Sequence, residues 1–459
     1  MIILTADIGS TYTKLTAIDT VSEAIVATAS SFTTIETGVM EGFDNALSQL
    51  RQKVPDFHYD RLLCCSSAAG GLKMVALGLV PELTAKASRL AAASAGAKVM
   101  KTYSFELSQT ELDEIAGIEP DLILLSGGTD GGNKEVIIAN ARHLCSLKGN
   151  YSVIVAGNKS AAAEVSQILG AAGIVHVVTE NVMPEFNKLN IEPAKKCITD
   201  LFISQIIEAK GLSKIQKLAE ADIIPTPLAV LNACRLLSEG TDAVEGIGEL
   251  MAVDLGGATT DVYSVSEGKP TLENVTVRGL PEPYCKRTVE GDLGMRYSLH
   301  SFADDRNLNA VAADIGLERQ QVEQWVDAAA TNPERLAVPD SAEQVIEQAI
   351  ARRAVQIATE RHAGTYQPVY TPFGQVFALT GKDLSDIPYI IGVGGAIIHA
   401  PNPRRILEAA LRQPDDFEYA KPRNPKFLID RQYIFAAMGL LSQSYPDVAM
   451  KIMKNNIKF

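Results

Sequence analysis

The chain opens on an apolar run, Ile2-Ile3-Leu4-Thr5-Ala6, that closes in Asp7-Ile8-Gly9 and is followed by the alternating stretch Tyr12 to Ile18. An apolar run, a glycine turn and an alternating run spell strand, tight turn, strand, because successive side chains of a strand point to opposite faces. The pattern returns 247 positions later, where Leu4 to Ile18 superposes on Met251 to Val265 and Asp7-Ile8-Gly9-Ser10 on Asp254-Leu255-Gly256-Gly257. Two copies of one hairpin imply two related halves.

Between the hairpins, strand-like runs at Arg61 to Cys65, Asp121 to Leu125, Ser152 to Ala156 and Ile174 to Val178 alternate with apolar helical stretches such as Met74 to Ala97. This rhythm predicts a parallel α/β subdomain inserted into the first half at about residues 60–190. Before the second hairpin, Asp222 to Pro227 reads as extended and leads into an apolar helix ending near Leu237. Beyond it, Ala342 to Arg361 reads as a surface helix, and Pro388 to Pro401 as a buried strand opening into the turn Gly392-Val393-Gly394-Gly395. The expected division is a first half at 1–245, holding the insertion and the apolar helix, and a second half at 246–459.

Composition narrows the class. The 459 residues allow roughly two to four domains, and 46% hydrophobic with 21% charged positions excludes disordered, collagenous and low-complexity chains. A net charge of −13 without a compensating basic block disfavours nucleic acid and anionic membranes, so a small ligand or a protein partner is expected. Six cysteines without a C-x-x-C pair and six histidines without H-E-x-x-H give no support for a zinc or haem site, and reduced thiols fit a cytoplasmic protein. Neither a signal peptide nor a membrane span is expected. Cys64 and Cys65 lie side by side on a strand and face opposite ways, which predicts buried thiols rather than a redox pair.

The hairpin turns carry the candidate chemistry. Gly9 or Gly256 lets the backbone approach a phosphate closely, and the small hydroxyl residues Ser10, Thr11 and Thr259 can donate to its oxygens. Asp7 or Asp254, at the strand end, can hold a hydrated Mg²⁺. One such turn joins strands in many proteins; two copies facing each other across a cleft are a stronger signal. The glycines Gly392, Gly394 and Gly395 can pass under a flat base or ribose. The loop Gly127 to Asn133, and Asn158 after a second strand, lie where parallel sheets bind ligands, or are glycine turns that only connect strand to helix. Lys286, Arg287, Glu290 and Asp292 read as a solvated helix face.

Taken in order, these segments resemble the actin, sugar-kinase and Hsp70 ATPase superfamily. The opening looks like its first phosphate loop, with Lys14 seven residues after Asp7, and Asp254 to Asp261 like the second. Pro225-Thr226 with its helix looks like the connecting helix, and Gly392 to Pro401 like the adenosine loop. The resemblance implies duplicated actin-like (RNase H-like) α/β domains facing a nucleotide cleft. A narrower resemblance covers nearly the whole chain. Cys65 to Met74, Leu124 to Asn133, Gly279 to Pro283 with Lys286 to Gly294, Arg361 to Gly364 and Gly381 to Leu384 look like the MutL/GlmL family. That family is associated with adenosylcobalamin-dependent carbon-skeleton mutases such as glutamate mutase, and is unrelated to the mismatch-repair protein of similar name.

The resemblance implies ATP or ADP between the halves with Mg²⁺ held through water by Asp7 and Asp254. Lys14 would neutralise phosphate charge, and the turn amides around Ser10, Thr11, Gly257 and Ala258 would cradle oxygens. Related ATPases sandwich the adenine with basic residues, a place Lys286 or Arg287 could fill. Hsp70-type chaperones carry a glutamate before the Pro-Thr of the connecting helix, and this chain has Ile224. Hydrolysis is therefore expected to be slow, with Asp254 or Asp261 as the remaining base. The expected function is an ATP-driven accessory or reactivating chaperone whose partners are adenosylcobalamin-dependent mutase subunits. The alternatives are a small-molecule kinase of the same fold and a nucleotide-gated binding protein without useful catalysis. An iron–sulfur activator is disfavoured by the scattered cysteines.

Overall fold

A computed structural model describes residues 1–457 apart from 10, 34–38, 68–72, 210–211 and 373, and apart from the side chains of 202–209. The opening hairpin forms as the pattern requires: β1 (Ile2–Ile8) and β2 (Tyr12–Asp19) pair antiparallel with Asp7 opposite Lys14. β3 (Ala24–Phe32) extends this sheet on one side and β4 (Arg61–Ser66), parallel to β1, on the other. The chain then builds a second, all-parallel sheet from β5 (Lys73–Gly78), β6 (Lys98–Ser104), β7 (Leu122–Leu125), β8 (Ser152–Val155) and β9 (His176–Val178), ordered β6-β5-β7-β8-β9. It returns to the first sheet as β10 (Ile224–Pro225), which leads directly into the helix Thr226–Glu239.

The second half repeats the first. β11 (Leu250–Leu255) and β12 (Thr260–Val265) pair with Asp254 opposite Asp261. A small sheet is made by β13 (Val275–Arg278), β15 (Thr365–Thr371) and β16 (Gly374–Thr380), while β14 (Cys285–Glu290) joins β12. β17 (Tyr389–Val393) and β18 (Lys426–Ile429) continue the sheet parallel to β11. The two main sheets, β3-β2-β1-β4-β10 and β14-β12-β11-β17-β18, have the same order and the same directions. This is the duplicated actin-like α/β fold, with its parallel subdomain inserted in the first half.

Period-two burial explains how the layers stack. Leu4, Ala6 and Ile8 of β1 enter the outer core of the first half, whereas Ile3 enters a core shared by both main sheets. That shared core holds the helices Thr226–Glu239 and Phe435–Leu441, which cross so closely at Gly439 that a Cβ there would overlap the Ala229 carbonyl. Cys64 and Cys65 are both buried and divide between these two cores, as adjacent strand residues must. The C-terminal helix Pro446–Asn456 crosses back to the first half, where Lys451 Nζ lies 2.7 Å from Glu23 and Tyr445 Oη accepts from Arg61 at 3.3 Å.

Several elements differ from the sequence expectation. Met74 to Ala97 is not one helix, because Lys73–Gly78 is the interior strand β5 and the helix itself is Lys86–Ser94, after a wide turn at Pro81–Ala85. A strand buried on both faces is apolar throughout and carries no alternation to distinguish it from a helix. Arg61 to Cys65 belongs to the first main sheet rather than to the inserted one. The helix Ala342–His362 buries Ile346, Ile350, Ala354, Val355 and Ala358, so it is a core helix of the second half. Lys286 and Arg287 lie on strand β14, both nearly fully buried, and not on a solvated helix face. Among the described residues no helix is long and apolar enough to cross a membrane.

Candidate functional site

The C-terminal ends of the parallel strands converge on a cleft of about 760 Å³ between the main sheets, a size suited to a nucleotide. Both hairpin turns open into it. Gly9 N donates to Tyr12 O at 3.0 Å and Gly256 N to Thr259 O at 2.9 Å, so the two turns are closed by equivalent bonds. A Cβ on Gly9 would lie 2.7 Å from Tyr12 O, a close approach that fixes glycine there. The turns face each other: a Cβ on Gly257 would sit 3.6 Å from Thr11 Oγ1 of the opposite hairpin.

The second turn is braced from behind. Met295 N, Arg296 N and Ser298 Oγ donate to the carbonyls of Gly256, Gly257 and Ala258 at 3.0, 2.8 and 2.5 Å. With these carbonyls held, the turn presents its N–H groups to the cleft, which makes an anion cradle of main-chain donors. Gly294 lies so close that a Cβ on it would overlap the Ala258 backbone.

Four carboxylates gather around this cradle. Asp7 Oδ1 accepts from Thr226 Oγ1 at 2.7 Å, and Lys14 Nζ lies 3.9 Å from Asp7 Oδ2 and 3.5 Å above the Tyr433 ring. Asp261 is held by Arg287, with Nη2 at 2.6 Å and Nε at 2.8 Å, and by Thr259 Oγ1 at 3.0 Å. Asp430, just past β18, accepts from Ile434 N and Phe435 N and so caps the crossing helix. Asp254 has its pKa pushed up to about 7, first by burial and then by Asp261, with Asp7 and Asp430 adding and Lys14 opposing.

The sequence model of the family described as MutL protein matches residues 3–457. A curated relative, Protein MutL of Clostridium tetanomorphum, is 46% identical over 458 residues, covering 98% of each chain. The chain belongs to the MutL protein family. Among solved structures it is similar to a nucleotide-free acetone carboxylase, with a TM-score of 0.37 and 14% identity over 96% of this chain and 70% of that one. It is also similar to a ROK family glucokinase from Streptomyces griseus solved with glucose and AMPPNP, with a TM-score of 0.33 and 10% identity over 99% of this chain and 100% of that one.

Within this family member, the cleft brings together Asp7, Gly9, Thr11, Lys14, Asp254, Gly256, Gly257, Ala258, Thr259, Asp261 and Gly395 among the residues marked from sequence. Ser10 lies outside the described residues. Gly392 and Gly394 do not line the cleft: Gly392 packs under Ile397, and Gly394, at φ +87°, packs against Asp254 and Leu255. Lys286 is also elsewhere, donating to His362 O at 2.7 Å and lying 3.2 Å from Glu282, so no adenine-stacking place is left to it. Arg287 lines the cleft, but its guanidinium is fully engaged with Asp261, Ala93 O and Ala97 O. Arg296, which also lines the cleft, lies beside Gly257 of the second turn and is paired with Glu347 at 2.5 Å.

The Gly127 to Asn133 loop is a braced turn. Asn158, fully buried, accepts from Gly131 N and donates to Gly132 O and Asn133 O, while Asn181 donates to Gly128 O and Asp130. The sequence marked Thr226 only as the start of the connecting helix and left Asp430, Tyr433 and the Arg296–Glu347 pair unmarked. Asp430 had a usable signal, since it follows a buried strand just as Asp7 and Asp254 end theirs.

Proposed function

We propose that this chain binds Mg·ATP between its two main sheets and hydrolyses it slowly, as the nucleotide switch of an accessory, reactivating protein for an adenosylcobalamin-dependent carbon-skeleton mutase such as glutamate mutase. The observation that carries the nucleotide part is the pair of equivalent hairpins facing one another across the cleft. Membership of the MutL protein family supports the accessory role, and the mutase partner follows from the family resemblance. The two halves, 1–245 and 246–459, are the bodies that close on the nucleotide.

Asp7 and Asp254 fit a hydrated Mg²⁺. Both face the cleft, and a pair of carboxylates suits an ion that keeps several waters and takes phosphate oxygens. When bound, Mg²⁺ neutralises phosphate charge. Around it, Lys14 faces the same anion, the N–H groups of Gly257 and Ala258 bind oxygens, and Gly395 with Ala396, His399 and Arg296 lines the space for the nucleoside.

Of the four aspartates around the cradle, Asp254 is the base, Asp430 being held by two backbone N–H groups. Asp261 is neutralised by Arg287 and Asp7 is bonded to Thr226, whereas Asp254 titrates near neutrality and is poised to accept. Ile224, buried in β10, supplies no acid at the connecting helix, so turnover is slow. The six free thiols suit a reducing cytoplasm.

The test is a recovery assay. Mutase carrying damaged cobalamin is given ATP, fresh adenosylcobalamin and this protein, beside a screen for phosphorylated metabolites. Restored activity that requires ATP supports the reading. No recovery and no nucleotide-sensitive complex, together with phosphate appearing on a small molecule, would replace it with a kinase.

A further inference from the structure

The helix Lys86–Ser94 of the inserted subdomain lies against the second half and is fastened to it at both ends. At its first turn Lys86 Nζ lies 2.6 Å from Glu282 Oε1, and Lys286 Nζ is 3.2 Å from the other oxygen of the same carboxylate. At its last turn Arg287 Nη1 donates to Ala93 O at 3.0 Å and to Ala97 O at 3.1 Å. A helix C-terminus has carbonyls without intrahelical partners and a partial negative charge, so a guanidinium suits it.

The two fastenings differ in what else they touch. Glu282 and its lysines are absent from the cleft lining, whereas Arg287 is part of it, and the other edge of its guanidinium holds Asp261 of the second phosphate hairpin. One rigid planar fork thus joins a carboxylate of the cleft to the end of a helix in another subdomain. The segment also meets the first half. Gly96 stands at φ +87°, and a Cβ on it would lie 2.7 Å from Pro225 Cβ, next to the Thr226 whose hydroxyl holds Asp7. Residues 93–98 therefore sit between the aspartates of both hairpins.

We propose that Arg287 is the positioning residue that couples the nucleotide state of the cleft to the inserted subdomain, with the Lys86–Glu282 pair as the fixed end of the lever. The proposal rests on the nucleotide reading given above. A phosphate oxygen that takes the Thr259 hydroxyl shifts Asp261 with the second turn, and Arg287, still paired with that carboxylate, is drawn away from Ala93 and Ala97. The last turn loosens while Lys86 stays clamped, and the helix pivots, carrying β6 through Gly96 and Lys98. A ligand shifts such an equilibrium only through contacts that differ between the two states, and Thr259 with Asp261 supplies that difference.

Hydrogen exchange over residues 86–98 of the full chain tests this, with no nucleotide, Mg·ADP and Mg·ATP, after calorimetry has measured binding. In the nucleotide-free protein Asp261→Asn is expected to speed exchange at 93–98 by about fivefold or more. In the parent, Mg·ATP does the same. Arg287→Met exchanges fast in every state with no nucleotide response, Arg287→Lys keeps part of the response, and Glu282→Gln loosens the Lys86 end while the response survives. A parental response in Arg287→Met, or unchanged exchange in nucleotide-free Asp261→Asn, overturns the coupling while leaving the nucleotide reading intact. A parent that binds no nucleotide overturns both. Should Arg287→Met fail to melt as a folded protein, Arg287→Lys and Asp261→Asn decide the matter.

Discussion

Lys14 and Asp261 occupy equivalent places in the two hairpins, each directly opposite the strand-end aspartate, and carry opposite charges. In the first hairpin the cation is left for the cleft. In the second, the carboxylate is neutralised by an arginine from β14, and the function proposed above makes Asp254 the base. Two outcomes follow from this asymmetry. Lys14→Ala should weaken Mg·ATP binding by about 1.5–3 kcal/mol, the range for a hydrogen bond to a charged group, as read by calorimetry. Unchanged affinity would remove Lys14 from the site. Asp254→Asn should keep most of the affinity and lower turnover about tenfold or more. For the parent, the sign of the pH effect is fixed by the raised carboxyl of the free protein: kcat/KM climbs as pH rises through about 7 and levels off above it. Lys14→Ala moves that rise to higher pH, because the ammonium holds the Asp254 pKa down. A parental rate in Asp254→Asn would take the base away from this position.

At the scale of elements, the hairpins stand where the alternation and the glycine turns put them, because a two-strand unit is written in about fifteen consecutive residues. The brace behind the second turn was not legible. Met295 to Ser298 reach the Gly256, Gly257 and Ala258 carbonyls from some forty positions away, and nothing in their local pattern marks them. The same holds for Lys286 and Arg287, whose charge pattern imitates an exposed helix. Their burial depends on Glu282, Asp261 and helix Lys86–Ser94, partners that only the fold brings near. Asp430 follows strand β18 as Asp7 and Asp254 end theirs, but β18 lacks the glycine turn that marks the hairpins, and Tyr433 beyond it carries no local signal. The brace makes a sharp prediction. Gly294→Ala pushes a methyl group into the Ala258 backbone, so the second turn must shift. Mg·ATP affinity is expected to fall about tenfold or more, a loss of about 1.4 kcal/mol for each factor of ten, with the far-ultraviolet spectrum unchanged. Full affinity in this variant would show that the turn does not cradle the phosphates.

At the scale of the molecule, the cleft is lined from three sides. The first main sheet gives Asp7 and Lys14, the second gives Asp254 and Asp261, and the inserted subdomain gives Gly96 and Lys98. The main sheets meet through a continuous core of two crossing helices with almost no slack at Gly439, so sliding there is costly, while rotation about the crossing is left available. The C-terminal helix adds a second tie across the halves through Lys451–Glu23. Closure of the cleft about this axis is therefore the motion the fold allows. It sets how Gly9 and Thr11 stand against Gly257 and Ala258, which already lie within reach of them, and only a ligand contacting both turns can hold one arrangement. Small-angle scattering should show a smaller radius of gyration with Mg·ATP than without nucleotide, with Mg·ADP between them because it lacks the γ-phosphate that reaches across. Asp254→Asn, which still binds, should close as the parent does, and Lys14→Ala should need more nucleotide to reach the same state. Identical curves in all three nucleotide states, at concentrations where calorimetry shows the site filled, would mean that binding leaves the halves where they are and that no closure signal reaches a partner.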